Sequence, residues 1–370
     1  MSMLKKTRSL VWLCMAGTSS AIAGGLDRTG QDLGALFESG HYLEVSVSHV
    51  SPRVRGTDLL GGRTGDVGGD YFLPSLSLKV DATERLSLAL VADETFGAKM
   101  AYGQGSPMLG GTSVDVSSQG LMGLARYRLN DSFSVHGGAR VQSSSAHVQL
   151  KGLAYGPVSG YQMQLRRDTT VSPVLGIALE KREIALRFAA TYHGAIKHEF
   201  TTRESAPLAQ LNGNSTTAIN LPRAVNLDFQ TGIAADTLLF AHLRWVNWSE
   251  FRADPSHFLA VTGEGLVDLK DTRTWTLGLG RRLNDQWSAA LSATYEGRTT
   301  PLSSPLSPVN GRRGITLAAI YTQDRMRVTA GISYLKLGDA YLETGTPDTL
   351  RATMSGNTAL GLGLKFGYAF

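Results

Sequence analysis

Hydrophobic positions recur every second residue through most of the chain, the period of a strand with two unlike faces. The segment 287–295 reads Trp287, Ala289, Leu291, Ala293 and Tyr295 on one face, against Ser288, Ala290, Ser292 and Thr294 on the other. The last segment places Leu360, Leu362, Leu364, Phe366, Tyr368 and Phe370 on one face, with Ala359, Gly361, Gly363, Lys365, Gly367 and Ala369 opposite. The same alternation predicts fourteen strands, near 41–51, 70–81, 85–102, 112–129, 132–151, 168–180, 183–201, 217–234, 237–252, 271–283, 286–299, 312–323, 326–342 and 356–370.

The links between them alternate in length. Tight polar turns fall at Asp81–Arg85, Asn130-Asp131, Lys181-Arg182, Ala235-Asp236, Asn284-Asp285 and Gln323–Arg325. Longer loops rich in Gly, Pro, Ser and Thr fall near 52–69, 103–111, 152–167, 202–216, 253–270, 300–311 and 343–355. An even strand number with short turns on one side and long loops on the other is the pattern of a bacterial outer-membrane barrel. Aromatic residues gather near strand ends (Tyr42, Phe72, Tyr102, Tyr127, Phe133, Tyr192, Trp275, Trp287, Tyr295, Tyr321, Tyr368), where an amphipathic ring suits the lipid–water boundary. The fold class expected is therefore all-β, a transmembrane antiparallel β-barrel of about fourteen strands. A soluble sandwich would need charge on its outer face, and these faces carry Leu, Val, Ala and aromatics.

Composition sharpens this picture. Charged residues are 18% of the chain, below the usual ~25%, and glycine supplies 42 of 370 residues. Lys5, Lys6 and Arg8, the apolar run Leu10 to Gly17, and Ala21-Ile22-Ala23 make a secretory signal over 1–23. Its apolar run is too short for a membrane helix. Removing it takes basic residues from 36 to 33 against 31 acidic ones, and net charge from +5 to +2. It also removes Cys14, the only cysteine. A basic pI is thus no argument for a nucleic-acid partner.

Three features depart from a plain barrel. The segment 24–40 (Leu26, Leu33, Leu36 and Phe37 at roughly helical spacing) is too short for a domain and too apolar to hang free, so it is expected as a plug, or hatch, in the mouth of a 41–370 barrel. The third strand breaks at Asp93-Glu94-Thr95-Phe96-Gly97, where acids and a glycine mark a bulge or bend. The inward parity is mostly small, with isolated charges; Arg126, Arg140, Arg187 and Arg244 are candidates to meet an anionic ligand, or to pair with inward acids such as Glu44, Glu180 and Glu296.

An ordered set of local features carries a resemblance. Leu221-Pro222 opens a strand, followed by Trp245-Val246-Asn247-Trp248-Ser249-Glu250-Phe251, Trp275-Thr276-Leu277-Gly278, the Asn284–Trp287 turn, the Pro301–Pro308 loop and the terminal Phe366-Gly367-Tyr368-Ala369-Phe370. In that order they resemble the FadL/TodX (OMPP1) family of outer-membrane transporters for long-chain fatty acids and hydrocarbons. The resemblance implies a fourteen-stranded barrel with an N-terminal hatch, capture of cargo in the outer loops and sideways exit at a kinked third strand, here Asp93, Phe96 and Gly97. The family's Asn-Pro-Ala hatch motif is absent.

Apolar loop residues are candidates for the outer capture surface: Met108, Leu109, Leu153, Tyr155, Leu208, Leu211, Phe258 and Leu259. The function expected is passive transport of long-chain fatty acids or other hydrophobic compounds, without cofactor or metal, in a monomer whose partners are its cargo, outer-membrane lipid, lipopolysaccharide and the barrel-assembly machinery. The alternatives are a general porin for small polar solutes and an outer-membrane lipid hydrolase. For the latter, His136, His193 and His242 stand alone in strands, and no Gly-x-Ser-x-Gly motif is present.

Overall fold

The computed structural model describes residues 26–299 and 301–370; the signal segment expected over 1–23 lies outside them, as do Gly24 and Gly25. The strands are β1 (Tyr42–Arg53), β2 (Tyr71–Asp81), β3 (Leu86–Asp93 and Gly97–Ala101), β4 (Ser113–Arg128), β5 (Phe133–Leu150), β6 (Tyr161–Lys181) and β7 (Leu186–His193 and Ile196–Ser205). They continue as β8 (Gly213–Leu221 and Ala224–Ala234), β9 (Thr237–Val246), β10 (Thr272–Arg282), β11 (Trp287–Glu296), β12 (Arg312–Gln323), β13 (Met326–Leu337) and β14 (Thr358–Ala369). Each pairs antiparallel with its neighbours, and β1 pairs with both β2 and β14, so the sheet closes. Closure gives the first and last strands a partner each, which backbone in lipid requires.

The outward face of β14 shows why alternation predicts a membrane wall. Leu360, Leu362, Leu364 and Phe366 are 42%, 49%, 53% and 39% exposed, beyond what a water-facing sheet could bear. Their partners in the lumen are small, which leaves internal volume.

The tight turns follow from their side chains. Asn130 Oδ1 accepts the N–H of Ser132 and Phe133 at 2.9 and 2.8 Å, and Asn284 Oδ1 does the same for Gln286 and Trp287 at 2.9 and 2.8 Å. Asp236 and Asp324 take left-handed φ of 58° and 52°, which short polar residues tolerate.

On the long-loop side, four short strands, Gly56–Asp58, Leu302–Ser303, Ala340–Thr344 and Thr349–Met354, form a separate sheet above the barrel. Asp58 holds that region together: it accepts Ser106 Oγ at 2.6 Å and the Met108, Gly62 and Leu60 N–H at 3.0, 2.8 and 3.0 Å.

The structure departs from the sequence expectation in several places, among them the end of β9 at Val246 and of β13 at Leu337, short of the expected 252 and 342. β6 starts at Tyr161, inside the expected 152–167 loop, because Tyr161, Met163 and Leu165 point inward while Gln162, Gln164 and Arg166 point out above the lipid. The 343–355 loop contains one strand and the end of another. β7 and β8 are each interrupted, around Gly194-Ala195 and Pro222-Arg223. Finally, Tyr42 and Tyr102 are not girdle residues: both are 3% exposed, Tyr42 against Glu44 in the lumen and Tyr102 beneath the loops with its hydroxyl on Pro305 O at 2.6 Å.

Candidate functional site

The β2–β3 ladder runs from Asp81–Ser87 to Ser75–Asp93 and stops. It resumes in the same register farther out, where Gly69 N–H donates to Lys99 O at 3.0 Å and Gly68 bridges Met100. Between these points residues 70–74 face residues 94–98 without a ladder. Pro74, at the margin, has no N–H to offer.

The backbone of the break turns inward and pairs with the N-terminal segment instead. Gly97 N–H donates to Leu26 O at 2.7 Å, Arg28 N–H donates to Thr95 O at 2.9 Å, and Asp27 bridges Phe96. Gly97 is required by this approach, since a Cβ there would lie 2.8 Å from Arg28 Nε and 2.9 Å from Glu94 Oε1. Ser118 Oγ receives the Phe96 N–H at 2.9 Å and donates to Phe96 O at 2.6 Å. Phe96 is thereby held 1% exposed, edge-on to Trp248 at 5.9 Å.

Behind the break lies an apolar cavity of about 120 Å³. Its walls are the outer halves of the strands: Phe96 and Ala98 of β3, Val114 and Val116 of β4, Met163 and Leu165 of β6, Phe200 of β7, Ile219 and Leu221 of β8. Phe251, Ala253, Leu266, Val267 and Leu269 supply its roof, and among the described residues of the lining only serines carry a polar side chain. The roof loop carries the short helix Ser256–Thr262. Glu204 fastens that helix, accepting the N–H of His257 and Phe258 at 3.1 and 2.8 Å, with His257 Nδ1 at 3.0 Å and Tyr161 Oη at 2.9 Å.

Leu26 lines this cavity, while Asp27, Arg28 and Thr29 line a second one of about 170 Å³ in the lumen, edged by Glu44, Arg244, Arg312, Arg327 and Lys365. The N-terminal segment thus stands between an apolar and a polar compartment. Its anchors are ionic and apolar: Asp27 to Arg244 Nε at 2.6 Å, Thr29 Oγ1 to Asp93 at 2.9 Å, Asn226 Nδ2 to Gly30 O at 2.9 Å, and Glu38 to Arg327 at 2.7 Å. Leu33, Leu36 and Phe37 are buried against Ala89, Val91, Met122 and Leu124 on the barrel's inner face.

The four inward arginines are engaged by the protein itself. Arg126 pairs with Glu180 and donates to Ser134 at 3.0 Å; Arg140 meets Asp93 at 2.7 Å; Arg244 holds Asp27 and Asn226. Arg126 and Arg187 lie 4.5 and 4.8 Å over the Phe37 ring. None of the four lines the apolar cavity.

The loop candidates also divide. Leu211 and Phe258 are buried in the apolar cluster around the cavity, with Tyr155 and Leu208 packed on it; Met108 and Leu109 belong to a second cluster under the outer sheet. Leu153 and Leu259 are exposed at 65% and 39%. The lining residues of the outer strand halves, from Met163 to Leu221, were not singled out by the sequence reading. Among the described residues no group of three His, Cys, Asp or Glu is placed to hold a metal.

Residues 39–370 match the model of the family described as outer membrane protein transport protein (OMPP1/FadL/TodX). No curated protein matches the sequence. Among solved structures, a Pseudomonas aeruginosa FadL homologue is 17% identical, with TM-score 0.74 over 96% of this chain and 98% of that one. The Ralstonia pickettii toluene transporter TbuX is 13% identical, with TM-score 0.63 over 97% of each chain. The Pseudomonas putida toluene transporter TodX is 12% identical, with TM-score 0.61 over 95% of this chain and 96% of that one. These likenesses show the shared fold, and the family match shows the rest: the chain belongs to the OMPP1/FadL/TodX family of outer membrane transport proteins.

Proposed function

We propose that this barrel passes small, uncharged hydrophobic molecules from the outer loops into the apolar cavity and then sideways through the β2–β3 opening. The observation that carries the reading is the cavity itself, which abuts the break and has no ionisable group among the described residues of its lining. An ionised carboxylate placed there would be desolvated without a partner, a cost of several kcal/mol. The volume, about 120 Å³, is close to that of an engineered apolar cavity of about 150 Å³ that takes up benzene. A single-ring hydrocarbon suits it better than a long-chain fatty acid. TodX and TbuX, solved as toluene transporters, support the same cargo class.

The N-terminal segment acts as the hatch. It separates the cavity from a lumen crowded with ion pairs, so the axial route offers an apolar solute charged walls while the lateral route offers lipid. The β6–β7 ladder is also unformed between 166–173 and 194–201 apart from one backbone bond, Gly194 N–H to Pro173 O at 2.8 Å. There, however, Asp168 Oδ2 bridges to His198 Nδ1 at 2.7 Å, and the outward neighbours are Arg167, Lys197 and Glu199. The β2–β3 opening is flanked outward by Phe72 and Leu76, which lipid solvates.

The test is uptake of labelled toluene and labelled oleate by cells that lack the gene, with and without plasmid-borne protein. Restored toluene uptake with no gain for oleate at neutral pH is expected. Restoration of oleate alone would reject the cargo class proposed.

A further inference from the structure

The outward face of β10–β13 changes character at its loop end. Ladder register sets Trp275, Tyr295, Arg313, Lys336 and Thr358 in one row across five strands. Arg273 stands two residues farther out on β10, directly opposite Trp245. All three basic residues are exposed, on the parity of the lipid-facing Leu277, Ile315 and Tyr334.

No ion pair or side-chain hydrogen bond engages Arg273, Arg313 or Lys336 among the described residues. Other exposed arginines nearby are paired: Arg298 with Asp339 at 3.3 Å, Arg252 with Asp268 at 3.3 Å. The acids closest along the chain are committed, Asp271 to Ser249 N–H at 2.9 Å and Asp339 to Arg298.

This arrangement is unfavourable on two counts in the bare protein. Arg313 and Lys336 are direct cross-strand neighbours, and like charges so placed repel. Cations on the lipid-facing parity of a barrel strand also carry a cost that falls only toward the headgroups. Both costs reverse if an anion of the headgroup layer sits on the row. Guanidinium groups match phosphate in a two-pronged geometry, and the ammonium adds a point charge. Trp245, Trp275, Tyr295 and Tyr334 surround the cations with rings suited to the boundary between acyl chain and headgroup.

We propose that Arg273, Arg313 and Lys336 form a binding site for the phosphorylated headgroup of an outer-leaflet lipid. The outward basic residues of β6 and β7 (Arg166, Arg167, Lys197, Arg203) differ, because the exposed Glu199 stands among them. They serve as the comparison.

The experiment is native mass spectrometry of the purified barrel with diphosphorylated lipid A and with its dephosphorylated form, read on wild type, Arg313→Gln/Lys336→Gln and Arg166→Gln/Arg167→Gln. Folding is verified by the heat-dependent shift on gels. Wild type and the β6 variant should retain diphosphorylated lipid A. The β12–β13 variant should lose roughly 30-fold in affinity, which is about 1 kcal/mol for each of two charges at a membrane surface. The dephosphorylated lipid should bind all three equally weakly. Equal retention by wild type and the β12–β13 variant would overturn the site. So would displacement of the lipid by millimolar inorganic phosphate, which would make the ligand a free anion. If the double variant fails to fold, Lys336→Gln alone reads the same contrast at about fivefold for one charge.

Discussion

The β13–β14 seam and the β2–β3 seam use the same alternation and reach opposite results. β13 and β14 pair without a break from Met326–Tyr368 to Lys336–Thr358, with small lumen residues such as Gly331, Gly361 and Gly363 and apolar residues outside. β2 and β3 pair only from Ser75–Asp93 to Asp81–Ser87. Where they part, the ladder is replaced by a proline, a buried carboxylate and a glycine that lets another segment approach. The lesson is that a break in the ladder of a membrane wall needs more specific chemistry than an unbroken one. Every backbone group released from the ladder needs a new partner, since lipid offers none. Here residues 26–28 provide part of that replacement from inside.

The comparison can be broken by substitutions, taken from the largest expected effect. Asp93→Ala strands the buried Arg140 guanidinium and removes the Thr29 contact. Losing one partner of a buried pair costs about 3–5 kcal/mol. Beside the continuous seam, Ser333→Ala removes a neutral hydrogen bond that joins β13 to β12, to Thr316 at 2.7 Å, worth about 1 kcal/mol. Urea unfolding of the refolded barrel should separate the two; equal costs would erase the contrast drawn between the seams.

Phe96→Ala comes next, at about 3 kcal/mol for an aromatic ring removed from a buried site. Because Phe96 lines the cavity, the same variant should also widen the range of ring sizes taken up. A drop in stability with unchanged cargo range would place Phe96 in packing alone.

A smaller effect, about 1 kcal/mol of overpacking, is expected for Gly97→Ala. Its Cβ meets Arg28 Nε and Glu94 Oε1, side-chain atoms that yield if the N-terminal segment moves, and the Val116 carbonyl oxygen at 3.1 Å. Gly123→Ala, where the nearest atom is Leu90 Cδ2 at 3.8 Å, should be near neutral. Amide exchange at Arg28 should quicken in the first variant and not in the second.

A pH effect lies outside both seams and calibrates them. Burial, and then the neighbouring Asp348, Glu264 and Asp268, raise the Glu343 carboxyl to about 7 from an ordinary 4.5. Between these values the folded loop keeps a proton that the unfolded chain has released. The outer sheet is therefore most stable below pH 4.5 and weakens as pH rises toward 7. Exchange in Thr349–Met354 should show this extra pH dependence, and Glu343→Gln should abolish it. Seam variants should leave it unchanged.

Much of the wall was legible because a strand in lipid has one rule, apolar out and small or polar in. Fourteen strands, the six tight turns and the break after Asp93 all follow from that parity. The cavity was harder to see, since above the lipid the rule inverts. Met163 and Leu165 face in while Gln162, Gln164 and Arg166 face out; Phe200 faces in between Glu199 and Thr201. Each looks like ordinary alternation until the switch of parity within a strand is noticed, at a bulge in β6 between Leu165 and Asp168 and at Gly194-Ala195 in β7. That switch is the signal that was available for the lining residues. The loop residues chosen for their apolarity are mostly buried in packing, which composition alone does not distinguish from a capture surface. For the inward arginines, two readings were open, ligand or ion pair. Only in the fold do Asp27, Asp93 and Glu180, from three different elements, reach Arg244, Arg140 and Arg126.

The most direct test of the account is to obstruct each route separately and follow labelled toluene into cells. Ala98→Trp fills the apolar cavity beside the β2–β3 opening, and Ser292→Trp fills the polar lumen cavity on the far side of the N-terminal segment. With both variants folded in the outer membrane, Ala98→Trp should abolish uptake and Ser292→Trp should leave it close to wild type. Loss of uptake in Ser292→Trp with retention in Ala98→Trp would mean that cargo travels down the lumen, and would contradict the lateral route.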